Sequence, residues 1–310
     1  MQSNRLLHIN DQPGCYPESW YAATVDGILE LEQLQGEEAC DVAVIGGGFT
    51  GLSAALHLGE RGYKVCLLDA HRIGWGASGR NGGQVGTGQR VSQDDLEKAV
   101  DPGLARAAWD IAEEAKALVK YLIERHKIPC DYQAGAIHAN HRHRYDRQSE
   151  RFAALLNEKY DYGDIRYVSP DEMQMLVGCV GYHGGTLDVG AGHLHPLNYA
   201  LGLGRAAIAA GARLFERSEV SRVDKGEPAV VHTAKGRLKA RYVIYACNGY
   251  VGQLERNIGR HVMPINNYII ATEPLSDDTT RQLIANNACV SDSRFVVNYF
   301  RCSADNRMLF

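Results

Sequence analysis

This chain of 310 residues predicts an α/β fold built on a parallel sheet, and three features carry the prediction. From Asp41 to Ala54 the sequence reads DVAVIGGGFTGLSA: a short apolar run, a turn spaced Gly46-x-Gly48-x-x-Gly51 and a helix-forming segment in succession. The next apolar run, Lys64 to Leu68, ends on the acid Asp69, at roughly the 20-residue spacing of a dinucleotide-binding βαβ unit. Late in the chain Val220 to Val223, Ala229 to Thr233 and Leu238 to Ala246 surround a Lys235-Gly236 turn. Those runs read as a β-meander appended to the same sheet.

The glycine spacing has a mechanical meaning. The first glycine makes the tight turn, the second lets backbone approach a diphosphate, and the third lets the helix lie close on the strand. The helix start adds N–H groups and the positive end of its dipole. Gly46, Gly47, Gly48, Phe49, Thr50 and Gly51 are therefore candidate cofactor contacts, with Asp69 and its neighbour Ala70 placed for the ribose. A glycine triplet alone is a weak signal, and its seat between strand and helix makes this one specific.

Residues 72–84, RIGWGASGRNGGQ, form a second glycine-rich loop where a nicotinamide dehydrogenase would continue into a strand or helix. Backbone at Gly74, Gly76, Gly79, Gly82 and Gly83 can approach a ligand closely. Ser78, Arg80 and Asn81 offer hydrogen bonds to a phosphate, a ribityl chain or a flavin edge. The same composition also suits a mobile surface loop.

With GGTLDVGAGHLHPLNYA (184–200) and RYVIYACNGYVGQLE (241–255), these segments resemble the FAD-dependent amine and amino-acid oxidoreductases, the D-amino-acid oxidase-like family. The resemblance covers most of the chain. It implies a Rossmann-like FAD-binding domain interleaved with an α+β substrate domain of mixed or antiparallel sheet. The implied division is an N-terminal extension (1–39), FAD-binding segments at 40–88 and 191–255, and substrate-domain segments at 89–190 and 256–310. It extends the expected FAD contacts to Arg72, Ala77, Ser78, Gly79, Arg80, Asn81, Gly82 and Gly83. Backbone near Val220 is expected beside the adenine, and Ala246, Cys247 and Asn248 beside the cofactor.

The family's chemistry implies a neutral amine giving a hydride equivalent from its α-carbon to flavin N5, with hydrolysis of the resulting imine. Oxygen or another acceptor reoxidises the flavin. Neither a triad nor a metal is required, so no catalytic residue is assigned. PESWYAAT (17–24), the GRNGGQ loop and the HLHPLN element point within the family to γ-glutamylputrescine or a similar small amine. Family members continue with more substrate sheet and a last strand and helix, so the chain is expected to be cut short after Phe310. A catalytically inactive remnant that keeps FAD or ADP affinity is one alternative, and an NAD-dependent dehydrogenase is the other.

Formal net charge is −4, and no basic, aromatic-interleaved stripe appears, so nucleic acid is not an expected partner. Apolar runs fall far short of the roughly 18 residues that indicate a membrane span. The opening MQSNRLLHINDQPG lacks an apolar leader core and cleavage site, making a cytoplasmic location the expectation. Eight cysteines at 15, 40, 66, 130, 179, 247, 289 and 302 form no CxxC pair and read as reduced thiols. Nothing in the sequence sets an oligomeric state.

The remaining elements follow from local pattern. Acidic residues between Val25 and Ala39 predict a solvated connector or short helix before a fold that starts near Cys40. Phe49 to Arg61 is a helix capped by Gly62. Asp101-Pro102 opens a long amphipathic helix with Leu104, Ala108, Ile111, Ala115, Leu118 and Leu122 along one face. Tyr132 to Ala139 can be a strand, Ser169 to Glu172 is a capping box, and Pro196 to Ala210 is a helix stopped at Gly211. His138, His141 and His143 have metal-like spacing but no carboxylate or cysteine cluster nearby, and read as a solvated loop. His193 and His195 share a face of an extended segment and are weighed between pocket and structural roles. Cys247 has no base beside it and reads as a small buried residue.

Overall fold

The computed structural model describes residues 5–9 and 12–310. Residues 1–4, 10 and 11, part of the stretch read for a leader, lie outside the described residues. Thirteen strands occur among those described: β1 Gly36–Ile45, β2 Val65–Leu68, β3 Gln84–Val85, β4 Gln133–Ala139, β5 Ile165–Val168, β6 Gly185–His193, β7 Arg213–Phe215, β8 Arg222–Asp224, β9 Ala229–His232, β10 Gly236–Tyr245, β11 Cys289–Asp292, β12 Tyr299–Cys302 and β13 Met308–Leu309. The chain divides into two compact units. The first holds residues up to Asn81, His126–Cys130 and Pro196–Tyr268; the second holds Gly82–Arg125, Asp131–His195 and Ile269–Phe310.

These crossings fall after Asn81, His195 and Tyr268, whereas the sequence placed them at 88, 190 and 255. Local contacts account for the difference. The Leu194 N–H donates to the Gly83 carbonyl at 2.8 Å within the second unit, and β3 pairs there with β6. Ile128 returns to the first unit because Gly202 leaves it room: a Cβ there would stand 2.3 Å from the isoleucine.

In the first unit the strand order is β7-β2-β1-β10-β9-β8, with the first four parallel and the last two antiparallel. Every residue of β2 and the last four of β1 are buried and apolar, as strands covered on both faces require. The chain leaves β1 through the Phe49–Glu60 helix to β2 on one side and returns to β10 on the other. The end of β1 is thus where the winding reverses, the point at which open α/β sheets hold ligands. Gly59 lets the 49–60 helix meet the Pro196–Ala209 helix, since a Cβ there would stand 2.8 Å from the Ala210 carbonyl.

The segment before β1 departs in part from expectation. It is a connector without a helix, one of the two expected forms, but β1 begins at Gly36 rather than near Cys40. Leu34 is fully buried among Ala43, Ile45, Cys66, Phe215 and Leu238. Its N–H donates to Ser218 Oγ at 2.9 Å, while the Leu29 and Leu31 carbonyls accept from Arg72 and Arg217. The acids face outward while this backbone and one leucine fasten the strip to the core. Leu34→Ala is expected to cost about 2–5 kcal/mol through the cavity it leaves. Denaturant unfolding checks this, and an unmoved midpoint would make the strip a passive appendage.

In the second unit the order is β13-β12-β11-β4-β6-β3, with β5 also pairing β6. β11 and β4 are parallel and the other pairs antiparallel. The Pro102–His126 helix is present and Leu122 is buried as expected, but between Leu104 and Lys116 the buried face is displaced by one residue. Leu104 and Ile111 are each 64% exposed, while Ala105, Trp109, Ala112 and Lys116 are buried. Trp109 decides the rotation, its ring lying 5.1 Å from Tyr160 and 5.3 Å from Tyr162. Lys116 follows it inward, with Nζ 2.7 Å from the Tyr162 hydroxyl and 2.8 Å from Glu113. One large aromatic and a paired lysine outweigh two aliphatic side chains.

The solvated stretch expected around His143 instead enters a helix, Asp146–Tyr160, through a turn at His143–Tyr145. His143 Nδ1 lies 2.6 Å from Asp146 at that entry. Among the described residues no group of three or more side chains is arranged to hold a metal. Only half of the expected capping box is formed: the Glu172 N–H donates to Ser169 Oγ at 3.3 Å, while the Glu172 carboxylate pairs with Arg166 instead of turning back to the Ser169 N–H. No helix among the described residues is long and apolar enough to cross a membrane.

Candidate dinucleotide site

β1 ends at Ile45, and the chain turns through Gly46, whose φ of +113° suits glycine. A Cβ at Gly46 would stand 2.5 Å from the Ala246 carbonyl, so the ends of β1 and β10 close on each other here. Gly51 seals the turn, its own Cβ position being 2.0 Å from the Gly46 carbonyl. The Gly47 N–H donates to Asp69 Oδ2 at 2.7 Å and the Phe49 N–H to Ser78 Oγ at 3.0 Å. Among the described residues the N–H groups of Gly48, Thr50 and Gly51 have no acceptor. Three free donors at the start of a 12-residue helix, with the dipole behind them, make an anion-binding turn.

Asp69 accepts from Gly47 on one oxygen and from the His71 N–H at 2.8 Å on the other. Burial pushes its pKa up to about 6, against the pull of those two N–H bonds. Arg72 turns away from the turn: its Nε lies 2.7 Å from Glu216 and its Nη2 donates to the Leu29 carbonyl. The Arg72 side chain is thus engaged within the protein. Glu216, fully buried, also accepts the Ile73 N–H at 2.8 Å and so shapes the chain after Asp69. The sequence reading passed over it, although Glu216 ends the run Arg213 to Phe215 as Asp69 ends its own strand.

The second glycine-rich loop is built more tightly than its composition implies. Gly74 and Gly79 face protein: a Cβ at Gly79 would stand 2.1 Å from the Gly74 carbonyl, and one at Gly74 would stand 2.9 Å from Ala200. Ala77, Ser78 and Gly79 form a short 3-10 turn. Asn81 spends its amide on the Ala77 and Ser78 carbonyls, both at 3.0 Å, and its own carbonyl accepts from the Tyr21 hydroxyl at 2.7 Å. The Arg80 guanidinium lies 4.5 Å from the Trp75 ring and 3.3 Å from the Tyr250 hydroxyl. Trp75 stacks on His71 at 3.8 Å, and its buried indole N–H has no acceptor among the described residues. Neither Trp75 nor Tyr250 was singled out in the sequence, where an aromatic inside a glycine run was the available signal.

At the other side of β1, the Ala246 N–H donates to the Ile45 carbonyl, and Asn248 takes a left-handed φ of +48°. Cys247 is half-buried, its thiol 3.3 Å from the Ile45 carbonyl and pushed up to about 11 chiefly by burial. It stays protonated and is no nucleophile. Val220 is buried in the core of this unit. The structure therefore gathers 46–51, 69–72, 77–81 and 246–248 in the first unit, while Gly82 and Gly83 belong to the second. There Arg301 donates to the Gly82 carbonyl at 2.8 Å and to the Leu194 carbonyl at 3.0 Å. His193 and His195, also in the second unit, are buried and pushed down to about 4 by that burial, so both are neutral at pH 7.

Comparison with known proteins shows the family. A family profile described as DAO, FAD dependent oxidoreductase, matches residues 41–310. The protein of Rhizobium meliloti (strain 1021) named Probable oxidoreductase OrdL is 40% identical over 293 residues, 94% of this chain and 68% of that one. Gamma-glutamylputrescine oxidoreductase of Escherichia coli (strain K12) is 38% identical over 302 residues, 95% of this chain and 69% of the other. The crystal structure of glycine oxidase from Geobacillus kaustophilus has the same fold, with a TM-score of 0.68 at 21% identity over 88% of this chain and 70% of that one. By that profile and those relatives, the chain is an enzyme of the DAO family of FAD-dependent oxidoreductases.

Proposed function

We propose that the enzyme oxidises a CH–NH or CH–NH2 bond of a small amine of the γ-glutamylputrescine type, and that the first unit carries the FAD diphosphate on the 46–51 turn. The observation behind the site is the set of acceptor-free N–H groups at Gly48, Thr50 and Gly51, lying where the sheet winding reverses. The substrate reading draws its support from the likeness to gamma-glutamylputrescine oxidoreductase.

In this reading the turn binds the diphosphate and Asp69 accepts ribose hydroxyls. Ser78 and Asn81 stiffen the second loop, whose backbone meets the rest of the cofactor. Bound FAD would supply the two-electron acceptor for the hydride leaving the amine-bearing carbon. Oxygen or another acceptor takes the electrons onward. Eight free cysteines fit a reducing compartment, and we place the enzyme in the cytoplasm.

Anaerobic addition of γ-glutamylputrescine, sarcosine, glycine and D-alanine to the purified protein tests this. The visible flavin band is expected to bleach with γ-glutamylputrescine and far less with the others. Bleaching confined to an amino acid would overturn the substrate reading, and a protein without flavin affinity would overturn the site.

A further inference from the structure

At one end of the seven-stranded sheet three loops meet: 140–145 after β4, 178–184 before β6, and 293–298 between β11 and β12. The Ser293 N–H donates to the Ala139 carbonyl at 3.1 Å, and the His183 N–H to the Asn140 carbonyl at 2.8 Å. The 293–298 hairpin folds around the fully buried Asp292. That carboxylate accepts the Arg294 and Asn298 N–H groups, both at 3.1 Å, and the Tyr182 hydroxyl at 3.2 Å.

The turn is anchored by these bonds, yet it displays apolar side chains. Phe295 is 103% exposed, Val296 78% and Val297 45%. Arg142 and Arg144 flank it, and neither has a carboxylate partner among the described residues. His141 sits below the usual imidazole range, first through burial and then through Arg294, Arg142 and Arg144, so these cations converge on one place. The acids that face this group, Asp146 and Asp292, are buried beneath it, paired with His143 and Arg294.

We propose that this tip docks on an anionic membrane surface, with Phe295 and Val296 entering the headgroup boundary and Arg142, Arg144 and Arg294 facing lipid phosphates. A convex apolar turn has no groove of its own and needs a soft, deformable partner. An aromatic at the headgroup level and nearby arginines are the components that hold a protein on such a surface. A second copy of the chain fits less well, because it would bring like charges together.

Flotation of the flavin-loaded full chain with vesicles of phosphatidylcholine, with and without phosphatidylglycerol, tests the proposal. Binding is expected only with phosphatidylglycerol, to vanish at high salt, and to weaken roughly tenfold or more in Phe295→Asp. Arg142→Glu with Arg144→Glu should remove the lipid preference. Flavin content and thermal midpoint should stay unchanged, since all three side chains are exposed. Phe295→Trp reads insertion directly, through a blue shift and quenching by brominated lipid. Equal binding to neutral vesicles, binding unmoved in Phe295→Asp, or a dimer that Phe295→Asp dissolves would each overturn the proposal.

Discussion

Gly51→Ala is expected to leave the protein unable to retain FAD. The new methyl would stand 2.0 Å from the Gly46 carbonyl and 3.2 Å from Val44 Cγ1. The first of these is backbone and cannot rotate away, so the start of the 49–60 helix must lift from the strand. That movement takes the N–H groups of Gly48, Thr50 and Gly51 off a common point. Overpacking of this kind costs about 1–3 kcal/mol or more, a large share of the roughly 5–15 kcal/mol that holds a domain folded. Gly48→Ala separates folding from binding: its methyl would meet Ser78 Oγ at 2.8 Å, a side chain that can turn, so the strand–helix contact should survive while the close approach of a diphosphate is lost. The flavin-to-protein ratio should fall in both variants, and the thermal midpoint should fall further in Gly51→Ala. Full flavin retention there would remove the close strand–helix approach from the account.

Asp69→Ala is expected to weaken FAD binding about 10- to 100-fold, the usual range for losing a charged hydrogen-bond acceptor. It should also abolish a pH dependence that the native protein shows. The ordinary carboxyl value of 3.8 is raised to about 6 in the FAD-free fold by burial. A raised acid favours the protonated native state, so its contribution to stability is complete below the unfolded value and lost as pH rises through about 6. Ribose hydroxyls donate, and donors favour the ionised form. FAD binding therefore releases a proton at moderately acid pH, and affinity should fall as pH drops below about 6. Fluorescence titration of FAD on both sides of that value checks the slope. A variant that keeps the native slope would assign the titration to another group.

Legibility in the sequence followed the physics of each element. The strand, turn and helix around Gly46, Gly48 and Gly51, and the short strand closed by Asp69, were readable because a tight turn and a close strand–helix approach restrict the residue type. The long helix after Asp101 was readable in existence but not in rotation. Counting aliphatic residues favoured Leu104 and Ile111, whereas Trp109 between Tyr160 and Tyr162 set the buried face. Leu34 was hidden by its acidic neighbours, because a net charge over fifteen residues says nothing of the one side chain that turns inward. The helix from Asp146 lay behind the histidine-rich run, which drew attention to metal spacing instead. In the second glycine loop the residue types were visible, but their partners were not. Ser78 and Asn81 bond within the protein, and the Arg72–Glu216 pair joins residues far apart in the chain.

The central claim is that the 46–51 turn grips a diphosphate through free amides. Amide resonances of Gly48, Thr50 and Gly51, followed in protein labelled at glycine and threonine while FAD and then ADP are added, test it most directly. Large shifts of all three with either ligand, and little change with adenosine, are predicted. Amides that stay in place while FAD binds would contradict the account.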